Sequence, residues 1–287
     1  FKILMTSFIC VGDFGTGEED QYNVSKLIED LDKKNLCNFV IGLGDNIYPS
    51  GVSSVKDSQF KTKFEEPYKN LPERLKFYNC LGNHDYKGKV KSQIKYTNDS
   101  ERWILLDNYY CFYSKINDIS FDFFAIDTNL YQEEFSHKKK EQLEQEKWLL
   151  KQLKTSNKKW KVVFGHHPWK SSGSHGDCND LLDEFYNKIA DTNKVDIILS
   201  GHDHDQQHLY IPNKPHLFIS GTGGKTRFLD EHIRFLKSNE YLKYYTEKPG
   251  CLQIIPDKDS LNVNIWITNS EQEHEKAYSF CIEKKLK

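Results

Sequence analysis

Val195-Asp196-Ile197-Ile198-Leu199-Ser200-Gly201-His202-Asp203-His204 carries a short apolar, β-prone run into a glycine and then into two imidazoles. The layout recurs upstream. Ile3 to Val11 leads into Gly12-Asp13, Asn38 to Leu43 into Gly44-Asp45-Asn46-Ile47-Tyr48, Leu75 to Leu81 into Gly82-Asn83-His84-Asp85, and Lys161 to Phe164 into Gly165-His166-His167. Phe121 to Ile126 and Leu217 to Ile219 have the same strand-like composition. In open α/β sheets, sites form beyond the carboxyl ends of strands, and a glycine there lets the backbone turn sharply enough to present the next side chain. The five groups of potential ligands are therefore expected to converge.

Between the strands lie amphipathic segments. Asp20 to Lys33 and Lys138 to Lys154 read as helices, the second placing Leu143, Leu150 and Leu153 at helical spacing among Lys, Glu and Gln. Strands alternating with helices indicate an α/β layered fold with a largely parallel or mixed sheet. Near the end, Leu261, Val263, Ile265 and Ile267 alternate with Asn262, Asn264 and Trp266, the pattern of a half-buried strand. No internal repeat, Pro-rich or Gly/Ser-rich linker divides the 287 residues, so one domain spanning 1–287 is expected.

Lys plus Arg is 40 and Asp plus Glu is 42, a formal net charge of -2, which leaves no overall basic field for a nucleic-acid backbone. No run approaches the roughly 18 apolar residues needed to span a bilayer, so contact with a membrane is expected only through a segment outside this chain. The chain opens on Phe1 rather than Met, as expected of a processed or trimmed product. Its seven cysteines form no C-x-x-C pair, which argues against a zinc cluster or a thioredoxin-type site, and the odd number leaves at least one thiol free in a monomer. Asn23-Val24-Ser25 and Asn98-Asp99-Ser100 are sequons that would permit glycosylation in a secretory compartment.

The donors at the strand ends are oxygens from Asp13, Asp45, Asn83 and Tyr48 and imidazoles from His166, His202 and His204. Such a set suits iron, zinc or manganese rather than a thiolate site. Seven candidates exceed the needs of one tetrahedral ion and fit two ions sharing a bridging carboxylate, the arrangement that clamps the attacking and leaving oxygens of a phosphoryl displacement. Two other patterns fail on spacing. Gly221-Thr222-Gly223-Gly224-Lys225-Thr226 lacks the first glycine of a phosphate-cradling loop, since Ile219 stands five places before Gly224, and Gly12, Gly15 and Gly17 are not in dinucleotide-fingerprint order.

The blocks GDFG (Gly12 to Gly15), GDNIY (Gly44 to Tyr48), GNHD (Gly82 to Asp85), GHHP (Gly165 to Pro168) and GHDH (Gly201 to His204) resemble, in order, the five signature motifs of the purple acid phosphatases, within the calcineurin-like metallophosphoesterases. QEKWLLKQL (Gln145 to Leu153) and Ala125-Ile126-Asp127-Thr128 look like the mammalian tartrate-resistant forms. The resemblance covers nearly the whole chain. It implies a four-layer α/β/β/α sandwich, with two mixed sheets flanked by helices, that hydrolyses phosphate monoesters and binds phosphate. Asp13, Tyr48 and His204 would hold a ferric-type ion, and Asn83, His166 and His202 a divalent one (Fe, Zn or Mn), with Asp45 bridging. His84 would act as general acid or orient the phosphate, His175 would be a second substrate-side histidine, and Asp85 would orient His84.

The Lys- and Asn-rich character also resembles the glideosome-associated branch of the family in apicomplexan parasites, which anchors the actomyosin motor in the inner membrane complex. That resemblance implies an alternative role as a scaffold with minor activity, motor proteins as partners, and a location on the lumenal face of a membrane or in the secretory pathway.

Overall fold

A computed structural model describes residues 6–229 and 240–284. In chain order the strands are β1 (Ser7–Val11), β2 (Cys37–Gly42), β3 (Lys76–Asn79), β4 (Trp103–Ile104), β5 (Tyr110–Ile116), β6 (Ile119–Ala125), β7 (Trp160–Phe164), β8 (Ile197–Ser200), β9 (Gln206–Tyr210), β10 (His216–Ser220), β11 (Leu242–Thr246), β12 (Gly250–Pro256), β13 (Ser260–Thr268) and β14 (His274–Glu283). The helices are α1 (Glu19–Lys34), α2 (Asn83–Tyr86), α3 (Val90–Tyr96), α4 (Lys139–Thr155) and α5 (Asp180–Asp191). Every apolar run expected to be a strand is one, with small shifts at the ends; Ile3 to Met5, expected to open the first, lie outside the described residues.

Two seven-stranded mixed sheets result, in the orders β14-β13-β12-β1-β2-β3-β4 and β11-β9-β10-β8-β7-β6-β5. In the first, β1, β2, β3 and β4 pair in parallel while β12 runs antiparallel to β1. In the second, β6, β7, β8 and β10 are parallel neighbours, edged by antiparallel β5 and β9. The parallel strands read as unbroken apolar runs because both of their faces are buried. Phe123, Val162, Phe164, Ile197, Leu199 and Phe218 point into the core between the sheets, whereas Phe124, Val163, Ile198, Leu217 and Ile219 point the other way, beneath α4 and α5. On the far side α1 lays Val24, Leu27, Ile28 and Leu31, one helical face, against the first sheet. The layers are thus α/β/β/α, as the family resemblance implies.

At the centre Phe123 stacks on Phe112 and Phe121 and meets Phe8 and Phe39 edge-on, each ring pair 4.8 to 5.5 Å between centroids. Phe123 is fully buried, so Phe123→Ala is expected to cost about 3–5 kcal/mol, the lost transfer energy plus a cavity. A urea midpoint that barely moves would contradict this.

The packed stripe of α4 differs from the expected one. Leu143 is 48% exposed, and the buried positions are Gln142, Gln145, Leu149 and Leu153. The helix is turned by its glutamines. Gln145 accepts from the Asp127 N–H (2.7 Å) and donates to the Asp127 carbonyl (3.1 Å), and Gln142 donates to the Leu130 carbonyl (2.6 Å). These amides satisfy the irregular backbone after β6. All seven cysteine thiols are free. Of the two sequons, Asn23 is buried within α1, whereas Asn98 is exposed in the turn after α3. No helix among the described residues is long and apolar enough to cross a membrane.

Candidate metal centre

The five ligand blocks leave the carboxyl ends of β1, β2, β3, β7 and β8, so both sheets contribute to one place. Three of the seven side chains sit on left-handed backbone, Asp13 at φ 57°, Asp45 at 51° and His202 at 71°. Such conformations cost roughly 1–3 kcal/mol each and persist only where the surroundings fix them. Here the Asp13 N–H donates to the Gly44 carbonyl (3.0 Å) and the His202 N–H to Asp13 Oδ2 (2.9 Å). The glycines of the blocks allow the close approach. A Cβ at Gly201 would lie 2.5 Å from Asp13 Oδ2, and one at Gly82 would overlap the Asp45 carboxylate.

The seven residues assort into two clusters. In one, the Tyr48 hydroxyl lies 2.9 Å from Asp13 Oδ1 and 3.1 Å from His204 Nε2, and His204 Nε2 is 3.5 Å from Asp13 Oδ1. In the other, Asn83 Oδ1, His166 Nε2 and His202 Nδ1 lie 3.0 to 3.2 Å apart. Asp45 stands between them. Its Oδ1 is 3.4 Å from His166 Nε2, its charge also bears on the Tyr48 hydroxyl, and the ligand atoms of Asp13, Asp45 and His166 all lie within 4.8 Å of one another.

The second cluster brings an amide oxygen and two ring nitrogens together. His166 Nδ1 faces the Leu43 carbonyl at 2.9 Å, which can only accept, so Nδ1 carries the hydrogen. In the neutral ring Nε2 then points a lone pair at the Asn83 oxygen. Burial of His202 beside His167 and His166 drives its pKa well below the usual value, so the ring is neutral and one of its nitrogens is free to offer a lone pair. A cation placed among the three can be met by a lone pair from each. Burial pulls the His166 pKa down, but the Asp45 and Asp13 carboxylates outweigh that and raise it to about 9. Burial pushes Asp45 the opposite way from His166 and His84, and the imidazoles win, holding it below the usual carboxylate range. Tyr48 is raised well above the ordinary phenol by burial and by Asp13 and Asp45, so its oxygen keeps its proton unless a bound cation stabilises the phenolate. The buried Nδ1 of His204 has no partner among the described residues. The donor set fits a pair of metal ions.

Both candidate catalytic histidines flank the clusters. His84 donates its backbone N–H to Asp45 Oδ1 (2.8 Å), its Nδ1 lies 2.6 Å from the Pro49 carbonyl, and its Nε2 lies 3.9 Å from Asp45 Oδ2. The ring of His175 lies 4.1 Å from that of His202 between centroids. Asp85, expected to orient His84, does something else: fully buried, it accepts from the N–H groups of Asn46, Ile47 and Gly82 and from the side-chain amides of Asn46 and Gln93. It ties the Asp45 loop to the Asn83 loop.

The carboxylate that does orient a histidine is Asp203, which the sequence reading passes over. It accepts from both the backbone N–H (2.9 Å) and Nδ1 (2.8 Å) of His175, and from the Ser171 hydroxyl. Burial raises its pKa, but these hydrogen bonds outweigh that and lower it. Its position between two ligand histidines is the local signal that could have found it. Also unforeseen is His167, buried against Thr128 Oγ1 (2.8 Å) with its ring 4.4 Å from that of His202. Beside Asn83 and His202 opens a cavity of about 450 Å³ walled by Tyr86, Asn129, Gln132, Glu133, Glu134 and Phe135.

The profile of the family described as calcineurin-like phosphoesterase matches residues 6–206. The chain is 32% identical over 264 residues to purple acid phosphatase 7 of Arabidopsis thaliana, covering 86% of this chain and 78% of the relative. It is 30% identical over 259 residues to tartrate-resistant acid phosphatase type 5 of Sus scrofa, covering 83% and 75%. Among solved structures its fold is similar, at a TM-score of 0.85 and 19% identity, to that of GAP50, described as the anchor in the inner membrane complex of Plasmodium, covering 99% of this chain and 90% of that one. The matched segment carries every ligand block, and this chain belongs to the calcineurin-like phosphoesterase family, among the purple acid phosphatases.

Proposed function

We propose that this chain hydrolyses phosphate monoesters at a two-metal centre. One ion is held by Asp13, Tyr48 and His204 and the other by Asn83, His166 and His202, with Asp45 shared. The observation that carries the reading is the meeting of two clusters of oxygen and nitrogen side-chain atoms about one buried carboxylate. When bound, the ions supply Lewis-acid charge and a lowered pKa for water at neutral pH. The protein's own groups position and protonate. With Nδ1 engaged by the Pro49 carbonyl, the proton His84 gives to a leaving oxygen comes from Nε2. His175, held by Asp203, orients the phosphoryl oxygens. The two sheets share one core, which supports reading residues 1–287 as one domain.

Iron with a second iron, zinc or manganese is the pair we assign, because a tyrosine oxygen suits a ferric ion. Metal-loaded protein is expected to cleave 4-nitrophenyl phosphate faster at mildly acidic than at neutral pH, and to absorb in the visible when iron is present. Absence of hydrolysis throughout that range overturns the catalytic reading; a colourless active protein overturns the iron assignment alone.

A second reading is favoured by the fold shared with the Plasmodium anchor: a scaffold at the inner membrane complex that holds motor proteins, with the phosphatase centre secondary. On that reading His84→Ala leaves partner assembly intact; as an enzyme, the same change abolishes the biological effect.

A further inference from the structure

The segment after β10 lies over the metal centre without belonging to it. Its backbone is pinned to the ligand loops: the Gly223 N–H donates to the Gly12 carbonyl (3.0 Å) and the Arg227 N–H to the His204 carbonyl (3.3 Å). The Leu229 N–H is held in turn by Glu247 (2.9 Å). This anchoring leaves two exposed cations at the mouth of the site. Lys225 Nζ sits 4.7 Å from the centroid of the Tyr48 ring. Arg227 Nη1 lies 2.7 Å from Ser174 Oγ and 3.4 Å from His175 Nε2. Among the described residues neither forms an ion pair.

The cavity beside Asn83 and His202 has the reverse character. Beyond Asn83 and His202 the cavity is lined by Asn129, Gln132 and the exposed carboxylates of Glu133 and Glu134. A substrate bearing a second negative charge is repelled on that side and drawn to the other, so the charges at the mouth impose one orientation.

We propose that Lys225 and Arg227 form an anion subsite that receives the second phosphate of a substrate carrying two adjacent phosphates. The proposal rests on phosphate binding at the metal centre as read above. A guanidinium donates in a planar fork to phosphate oxygens and a lysine supplies a point charge, so Arg227 sets geometry and Lys225 adds attraction.

The test is calorimetric binding to metal-loaded full-length protein, with methylphosphonate as the single-anion probe and methylenediphosphonate as the two-anion probe, metal content being checked before and after. Wild type is expected to favour methylenediphosphonate, and Lys225→Ala with Arg227→Ala to shrink that preference by about tenfold or more. Lys115→Ala with Lys258→Ala removes the same charge at the opposite end of the sheets, beside the β5–β6 and β12–β13 turns, and is expected to keep the preference. A preference that survives the Lys225 and Arg227 changes, or that the distant pair erases equally, overturns the subsite while leaving the metal-centre reading intact. Failure of wild type to bind methylphosphonate at all overturns both.

Discussion

Asp45→Asn is expected to empty the centre of both ions and to lower phosphoester hydrolysis by roughly 10³-fold, the scale seen when a group that stabilises transition-state charge is removed. Asp45 is 1% exposed and lies between the two ligand clusters, so its charge serves both. The amide keeps the size of the carboxylate and can still accept the His84 N–H that Asp45 Oδ1 now accepts at 2.8 Å. The loop therefore stays folded while its charge is gone. The loss propagates to His166, whose raised pKa depends on that carboxylate against the pull of burial. Elemental analysis of the purified variant checks the point, with wild type prepared alongside. A variant that keeps two ions per chain and near wild-type turnover would sink the shared-ligand assignment.

The proposed ligand set is legible in the sequence because each member follows an apolar run and a glycine within a few residues, so the signal is local. The layered fold is legible for the same reason: strands buried on both faces read as continuous runs. What depends on distant pairing is not legible. Asp203 gains its meaning only when the loop after β7 folds back to bring His175 within 2.8 Å. The face of α4 that packs is chosen by Gln142 and Gln145, polar residues that an apolar-spacing argument discards, and Leu143 is left in solvent. Helix α5 is absent from the sequence reading although Leu182, Phe185, Tyr186 and Ile189 form a buried stripe at helical spacing. Lys225 stands in the glycine-rich stretch that fails as a nucleotide loop, and its place beside Tyr48 comes from the backbone bonds that bind this stretch to the chain after β1 and β8.

Asp85→Ala is expected to destabilise the protein by about 4 kcal/mol and to weaken metal retention, although Asp85 touches neither ligand cluster. The buried carboxylate now satisfies five donors, the Gly82 N–H at 2.9 Å, the Asn46 N–H and side-chain amide at 3.1 Å, the Ile47 N–H at 3.3 Å and the Gln93 amide at 2.9 Å. Each donor left without an acceptor away from water costs about 1–3 kcal/mol, and partial collapse or entry of water keeps the total below the simple sum. Asn46 and Ile47 lie between the proposed ligands Asp45 and Tyr48, while Gly82 immediately precedes Asn83. Loosening their common acceptor therefore lets the shared carboxylate drift from the Asn83 cluster, which is why metal retention falls together with stability. Asp85→Asn, which keeps one acceptor oxygen but turns an NH₂ toward the remaining donors, is expected to recover part of the loss. Urea midpoints and bound metal per chain are the two readouts. A residue acting only by orienting the His84 ring would leave both unchanged and alter the acidic limb of the pH–rate profile, and that result would return Asp85 to the role its position beside His84 first implies.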